Sequence, residues 1–414
     1  MTAVEPLVRA SEDTATGAPI SCDLYTDLDG MDRLRDAWDD AVLRTSGSIY
    51  MTFDWVSVWW RFYGKAAALR VFVFTLDGRI VALLPMYVDT IGWGPLGLRV
   101  ARIVGANIPP KVFNPPVPEA YASVAIAEVL THLFVRDRCD VVSFGPVSDT
   151  EHWRDTLRAW PEGSALVARS ETTAEVHSTY HLPADMDAYY GSLRQSERKN
   201  RRKYELRLLE KEFDTRVEVI SAAESVPEAF ERFAEQHREQ WRAEGRTGHF
   251  GAWPAALDFN RALVKAHASR GRVRFIRIVA GESVVAEEYA FVMGDRYYAE
   301  LTARAVESQW DRFSLGPTST VRMLAHAIAE GMTRVESGLG HYDYKVRLGA
   351  QEHAALTCRL VSSRLGSRLR VALFSAVRDG LRLAYLKVWY RRIVPRLPPS
   401  LWRPQLRFWL RLDF

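Results

Sequence analysis

Val273 to Met293 reads VRFIRIVAGESVVAEEYAFVM, and Arg296 to Thr302 continues it as RYYAELT. Val273–Val279 and Ser283–Met293 are rich in β-branched and apolar residues. Between them Ala280-Gly281-Glu282 marks a tight turn, so the pair reads as a β-hairpin. Gly294-Asp295 leads into a third strand, Arg296 to Thr302. A loop follows over Ala303–Phe313, then a helix over Leu315–Glu330 closed by Gly331, then a strand over Thr333–Ser337. Helices over Asp187–Phe213 and Val226–Glu244 precede the hairpin.

The first half has the same order. Met31–Thr45 and Phe53–Tyr63 read as helices, the latter carrying Trp55, Trp59 and Trp60. Leu69–Leu76, Asp77-Gly78 and Arg79–Val88 form a hairpin signal. Arg99–Val104 is a strand, Ala120–Val135 a helix and Asp140–Phe144 a short buried strand. Helices, hairpin, strand, helix, strand, read twice, predict an α/β protein with mixed sheets built by tandem duplication. The boundary falls near Tyr180–Pro183. The expected organisation is a leader over 1–19, an N-terminal domain over 20–180, a C-terminal domain over 181–364 and a tail over 365–414.

Length agrees with two domains. A chain of 414 residues, 48% hydrophobic and 11% aromatic, exceeds the roughly 250–300 residues that one core usually serves. The net charge of +4 is unevenly spread: Arg364–Phe414 holds 12 Lys+Arg against 2 Asp+Glu, leaving 43 against 49 elsewhere. All the basic excess lies in the tail. Cys22, Cys139 and Cys358 have no spacing that signals a disulfide frame or a zinc site, which fits a reducing cytoplasm. Met1–Pro19 lacks the apolar stretch of a secretory signal. No apolar run reaches the roughly 20 residues that span a bilayer.

In the tail, Leu369, Leu373, Phe374, Val377, Leu381, Tyr385 and Val388 follow helical spacing on one side. Arg364, Arg368, Arg378 and Arg382 fall largely on the other. Trp389, Trp402, Phe408 and Trp409 add amphipathic aromatics. Two readings stand: a helix on an anionic membrane surface at the inner face of the membrane, or one packed on its own chain or a partner.

Four further stretches carry a family resemblance. They are the basic helix Leu193-Arg194-Gln195-Ser196-Glu197-Arg198-Lys199-Asn200-Arg201-Arg202; the spaced His237, Trp241, Gly248 and Phe250; the loop Phe313-Ser314-Leu315-Gly316; and Gly338, Gly340 and Tyr344-Lys345. In this order the second half resembles the acetyltransferase domain of CelD-type proteins, named for a link to cellulose biosynthesis, within the GNAT N-acyltransferase superfamily. The first half fits that family's degenerate repeat. The resemblance implies tandem GNAT-like domains, acyl-CoA as co-substrate, an amine acceptor such as an amino sugar, and a role near polysaccharide or cell-envelope synthesis. Glu336 stands where the family usually has Asp, and Leu315 where Pro commonly precedes the loop glycine. The superfamily's full pyrophosphate loop, with Arg or Gln followed by two spaced glycines, is absent.

The residues themselves point to the same chemistry. Ser314, Leu315 and Gly316 open a helix whose free N–H groups and dipole suit a pyrophosphate, and Ser314 equally fits an ordinary N-cap. An amine nucleophile needs a general base, for which Glu288 and Glu300 are the candidates, with Tyr298, Glu300 and Thr302 expected on one face by strand period. Of the adjacent Glu287 and Glu288, only one is expected to face the cleft. Tyr344 is a candidate acid for a departing thiolate. Lys345 fits a phosphate or carboxylate contact, or a structural pair with Asp343. Gly338 and Gly340 let the backbone leave a strand through angles other residues resist. His237 and Trp241, one helical turn apart, line an acceptor pocket or fill a core. Arg198 and its basic neighbours suit an anionic substrate or a solvated helix face. No histidine pair has zincin spacing and His177 with His181 falls in an expected interdomain strand, so no metal is expected; no Gly-x-Ser-x-Gly elbow or P-loop is present.

Two rivals remain. One is the duplicated architecture working on aminoacyl-tRNA, as in Fem-type peptidoglycan aminoacyltransferases, which the basic helix and the missing pyrophosphate loop favour. Nucleic acid is otherwise not expected. The other is a non-catalytic scaffold held at a membrane by its basic tail.

Overall fold

A computed structural model describes residues 4–6, 11–12, 19–92, 94, 97–106, 108–109, 111–153, 155–156, 167–204, 207–393 and 396–397. The leader is therefore largely outside the described residues, as are Trp402, Phe408 and Trp409 and the side chains of Arg201, Arg202, Lys203, Arg382 and Tyr385. The chain divides into two units, residues 1–174 with 355–414, and residues 175–354.

In the first unit, β1 (Pro19–Tyr25) pairs antiparallel with β2 (Ala68–Leu76), and β2 with β3 (Arg79–Ile91). The turn of that hairpin has Asp77 and Gly78 at φ 50° and 74°. Both are left-handed, the geometry that Asp-Gly favours. β3 pairs antiparallel with β4 (Leu98–Ile103), and helix α3 (Glu119–Thr131) carries the chain to β5 (Val141–Ser148). β4 and β5 run parallel for three pairs only, from Val100 opposite Val141 to Arg102 opposite Ser143. The preceding helices α1 (Arg35–Arg44) and α2 (Phe53–Tyr63) bury Trp38, Trp55 and Trp59.

Beyond Arg102 and Ser143 the space beside β5 is filled. Phe113 bridges in parallel to Val147 and donates its N–H to Pro146 at 2.8 Å. Trp55 packs against Phe113 and over Gly105, whose φ is 94°. A Cβ at Gly105 would lie 2.3 Å from the Trp55 ring.

The second unit repeats the order. Helices α4 (Met186–Ser192), α5 (Gln195–Tyr204) and α6 (Arg207–Glu210) lead to an edge strand β7 (Thr215–Ile220). Then come α7 (Val226–Ala243) and α8 (Ala256–Ala268), the hairpin β8 (Val273–Ala280) and β9 (Ser283–Met293), and β10 (Arg296–Arg304). Helix α9 (Leu315–Ala329) crosses to β11 (Arg334–Leu339). β7, β8, β9 and β10 pair antiparallel in that order, while β10 and β11 run parallel through Arg296, Tyr297 and Tyr298 opposite Arg334, Val335 and Glu336. A later part of β6 (Val167–His181) pairs antiparallel with β11. α9 packs Val321 and Leu324 on Ile276, Ala290 and Tyr297. The opposite face stacks Phe275 and Tyr289 under Phe233 of α7.

Three expectations are corrected. The single helix expected over Asp187–Phe213 is three, because Leu193 is extended and buried in the core beneath α9. Helix α8 and strands β7 and β12 (Gln351–Ser362) were not anticipated, while β6 contains the interdomain strand expected at His177 and His181 and begins well before it. Residues of β12 from Ala355 onward return to the first unit and pair with β5, so that unit is discontinuous in sequence.

Gly105→Ala is expected to lower first-unit stability by about 3 kcal/mol, the sum of a left-handed backbone penalty and overpacking against Trp55. A lower urea midpoint would show it; an unchanged one would mean the gap beside β5 is not tightly filled.

Candidate active site

The parallel contact of β10 and β11 ends after Tyr298 and Glu336, and no pairing between the two strands is recorded beyond it. A β-bulge at once interrupts β10, since Ala299 faces Ala290 while Leu301 faces Tyr289. Glu300 is the extra residue. Tyr298 therefore faces Phe291 and Thr302 faces Glu288, which puts them on opposite faces. This corrects the expected single row of Tyr298, Glu300 and Thr302, because a bulge resets strand alternation.

The edge of β10 past the bulge is served by side chains of α7. His237 Nδ1 lies 3.1 Å from the Thr302 carbonyl, and Gln240 Oε1 accepts from the Arg304 N–H at 3.0 Å. A carbonyl only accepts, so Nδ1 carries the proton. His237 Nε2 then accepts from His249 Nδ1, 3.3 Å away. Burial, then the His249 charge, lowers the His237 pKa to about 4, so both ring nitrogens are engaged in the neutral form. Trp241 packs against His237 and His249. Gly248, at φ 65°, is pressed against the Trp241 ring.

On the other face of the sheet Glu288 is 2% exposed and surrounded by hydroxyls. Ser319 and Thr320 of α9 reach its Oε1 at 2.7 and 3.1 Å, and Thr302 reaches Oε2 at 2.8 Å. Burial pushes its pKa up to about 7 against the hydrogen bonds from Ser319, Thr302 and Thr320 and the charge of Lys345. Tyr344, on α10 (Asp343–Arg347), is half-buried. Burial first, and then the Glu288 charge, raise its phenol, and a hydrogen bond with Thr320 opposes them. Lys345 is buried, donates to the Ser337 carbonyl at the end of β11, and stands 4.7 Å over the Tyr342 ring. Burial lowers its pKa to about 8, with Glu288 and Glu352 opposing. Asp343, its expected partner, instead meets His341 at 3.1 Å.

Ser319 and Thr320 also approach the Gly316 carbonyl at 2.9 and 3.2 Å. Each hydroxyl has one proton. With Glu288 ionised both protons serve the carboxylate; with Glu288 protonated they are free to turn to Gly316. The ionisation of Glu288 is thus tied to the first turn of α9.

That first turn opens on a cavity of about 200 Å³ whose lining includes Arg304, Trp310, Ser314, Leu315, Gly316 and Pro317. Ser314 is left-handed, φ 49°, and its side chain makes no capping bond. Leu315 and Gly316 carry first-turn N–H groups with no intrahelical acceptor, and a Cβ at Gly316 would meet nothing within 4 Å. The site has backbone donors and a cation, Arg304, so its chemistry suits a pyrophosphate.

The structure thus brings Glu288, Tyr344 and Lys345 together around Thr320, with Ser314, Leu315 and Gly316 at the start of the same helix. Gly338 and Gly340, at φ 72° and 103°, bend the chain from β11 toward Tyr344. Glu300 stands apart at the bulge, where its charge adds to the effect of burial in raising the Tyr289 phenol. Glu287 is as buried as Glu288 but on the opposite face, where it pairs across from Arg277. Arg198 is half-buried on α5. Ser319, Thr320 and His249 were not anticipated, and Thr302 was expected only as a member of the Glu300 row. The run Thr318-Ser319-Thr320 inside a helix was an available signal, since hydroxyl residues are poor helix formers without a partner.

Residues 193–346 match the family model described as an acetyltransferase (GNAT) domain. The matched stretch lies within the second unit and spans most of it. Among solved structures, FemX superposes with a TM-score of 0.56 at 11% identity, covering 78% of this chain and 95% of that one. A conserved protein of unknown function from Bacteroides thetaiotaomicron VPI-5482 gives 0.50 at 11% identity, covering 80% and 97%. At that identity the likeness is one of fold, and it extends beyond the GNAT domain to most of the chain. A comparison with curated protein sequences gives no match. Among the described residues no cluster of His, Cys, Asp and Glu is arranged to hold a metal, and no helix is long and apolar enough to cross a membrane.

Because Glu288 is raised from 4.5 to about 7, the folded state holds its proton more tightly than the unfolded chain. The stability from this group is full below pH 4.5 and falls away as pH rises through about 7. Glu288→Gln is expected to match wild type near pH 4 and to exceed it by up to about 3 kcal/mol near pH 8. Urea unfolding at the two pH values measures this; a variant less stable at both would show that the carboxylate is there for stability.

Proposed function

We propose that the protein is an N-acyltransferase moving an acyl group from an acyl-CoA thioester to an amine, with its active site in the second unit. The observation that supports this most is Glu288: a carboxylate with a pKa near neutrality, held by three hydroxyls beside the point where β10 and β11 part. A group so poised can take a proton at physiological pH and release it again.

In this reading the Leu315 and Gly316 N–H groups and Arg304 hold the pyrophosphate of acyl-CoA, and the cofactor supplies the activated acyl group. The amine nitrogen attacks the thioester carbonyl, forming the new C–N bond as the C–S bond breaks. Glu288 receives the amine proton through the Thr302, Ser319 and Thr320 hydroxyls, since its own oxygens are buried. Backbone N–H groups on the free edge of β10 stabilise the developing oxyanion. Tyr344 donates a proton to the leaving sulfur. Lys345 fixes the end of β11 through Ser337 and offsets the Glu288 charge. His237, Trp241 and Arg198 belong to the acceptor side, where His237 orients β10 and does not act as a base. The CelD-type resemblance makes an amino sugar in polysaccharide or cell-envelope synthesis, at the cytoplasmic side, the acceptor of choice. The first unit, its equivalent gap closed by Phe113, serves as a non-catalytic repeat.

A second reading has the acyl group arrive as an aminoacyl ester on tRNA. The basic stretch Arg194–Arg207 and the absent pyrophosphate loop favour it, and the FemX likeness is compatible with it at the level of fold.

Purified protein incubated with a panel of acyl-CoAs and amines, analysed by mass spectrometry, is expected to yield an N-acylated product. Glu288→Gln should lower kcat by about 100-fold or more, and Tyr344→Phe by about tenfold, with the acidic limb of the pH–rate profile near 7 lost in the first. Calorimetry showing no acyl-CoA binding, together with co-purifying tRNA, would transfer the case to the second reading.

A further inference from the structure

Helix α11 (Leu365–Ala384) is apolar on two sides, and among the described residues only one of them is covered. On the inner side Phe374 is 4% exposed and packs with Ile91, Leu98, Val100 and Val141 of the first unit. Ser367 donates to Asp140 at 2.5 Å, Arg370 pairs with the same carboxylate, and Arg364 donates to the Cys139 carbonyl at 2.8 Å. These contacts fix which side of the helix faces the protein. The expectation that Leu373 and Phe374 share one face is thereby corrected: adjacent residues on a helix lie about 100° apart, and here one is buried while the other is exposed.

The outer side carries Leu365, Leu369 and Leu373 at 73%, 62% and 54% exposure. With Ala372 and Ala376 they follow the i, i+4, i+7, i+8, i+11 spacing of a single stripe. Such a stripe on a helix already anchored by its other side marks an interaction surface. Its charge decides the partner. Arg364–Ile393 contains eight Lys and Arg and one acid, Asp379. Arg368, Lys387, Arg391 and Arg392 are exposed around the stripe and its π-helical continuation, Tyr385–Ile393.

We propose that this outer face of α11 docks on an anionic lipid bilayer, with the leucines in the acyl boundary and the basic residues on the headgroups. A second copy is disfavoured, because a self-complementary contact would set these cations against their own copies. Residues 398–414 are disfavoured as a cover on the same ground, since they add Arg403, Arg407 and Arg411 against Asp413. An anionic surface satisfies both features at once: apolar area enters the interface and each cation near it adds attraction.

Co-sedimentation of the full chain with phosphatidylcholine vesicles, with and without about one-quarter phosphatidylglycerol, tests this. Binding should be at least about tenfold stronger to the anionic vesicles and should weaken about tenfold in high salt. Leu369→Glu with Leu373→Glu, both exposed, should lose at least about tenfold in binding with the melting temperature unchanged. Arg368→Glu with Lys387→Glu provides a second test that leaves the leucines in place and should abolish the preference for anionic vesicles. Equal binding by wild type and both variants would overturn the proposal. So would absence of vesicle binding, whether or not light scattering then shows a dimer that the Leu369→Glu, Leu373→Glu variant disrupts.

Discussion

A parallel strand pair that lasts three residues and then parts leaves two rows of backbone groups in need of partners. Each buried N–H or C=O left unpaired costs of the order of 1–3 kcal/mol, so the parting of β10 and β11 obliges the rest of the second unit to respond. It does so with side chains. His237 takes the Thr302 carbonyl, Gln240 takes the Arg304 N–H, and Lys345 takes the Ser337 carbonyl at the end of β11. The bulge at Glu300 lies where the strands separate, which is where extra twist is needed to turn β10 away. A wedge between strands is therefore a built feature, held open by particular residues on both walls.

The same demand explains why a carboxylate sits in the interior. Glu288 faces Thr302, and α9 supplies Ser319 and Thr320 opposite. An isolated buried carboxylate would be held strongly neutral. Three hydroxyl donors and the neighbouring Lys345 bring the balance back to about 7, where both protonation states are populated. Because the donors sit one turn into the helix whose N-terminus borders the cavity, the hydroxyls around Glu288 and the backbone donors of the first turn share one element. That economy follows from α9 being the crossover between the two diverging strands.

Much of this was legible in the residues. The hairpins, the crossover helices and their order in both halves follow from strand and helix periodicity and from the turns at Asp77-Gly78 and Gly281. Gly338 and Gly340 were legible because the chain leaves the strand there through left-handed angles that favour glycine. What was not legible depends on contacts distant in sequence. The bulge at Glu300 arises from the register of β10 on β9, and no local pattern marks it. Choosing Glu288 over Glu287 as the residue facing α9 requires knowing which face that helix covers. The break of the Asp187–Phe213 helix depends on Leu193 reaching a core assembled from β8, β9 and α9. Strand β12 pairs in the first unit although it follows the second in the chain, so its role is invisible to a reading that runs along the sequence.

The two units show how one strand order supports different outcomes. In the first, β4 and β5 part after three parallel pairs just as β10 and β11 do, yet Phe113 supplies a backbone bridge to β5 and Trp55 occupies the space over Gly105. The backbone demand is met from within by a segment of the loop, and the wedge closes. In the second unit the demand is met by imidazole, amide and ammonium groups at the ends of side chains. These satisfy individual atoms, His237 at the Thr302 carbonyl and Gln240 at the Arg304 N–H, without adding a strand or bridge to the row. The contrast shows how one strand order leads to two different results: the difference lies in whether backbone or side chain completes the parted edge.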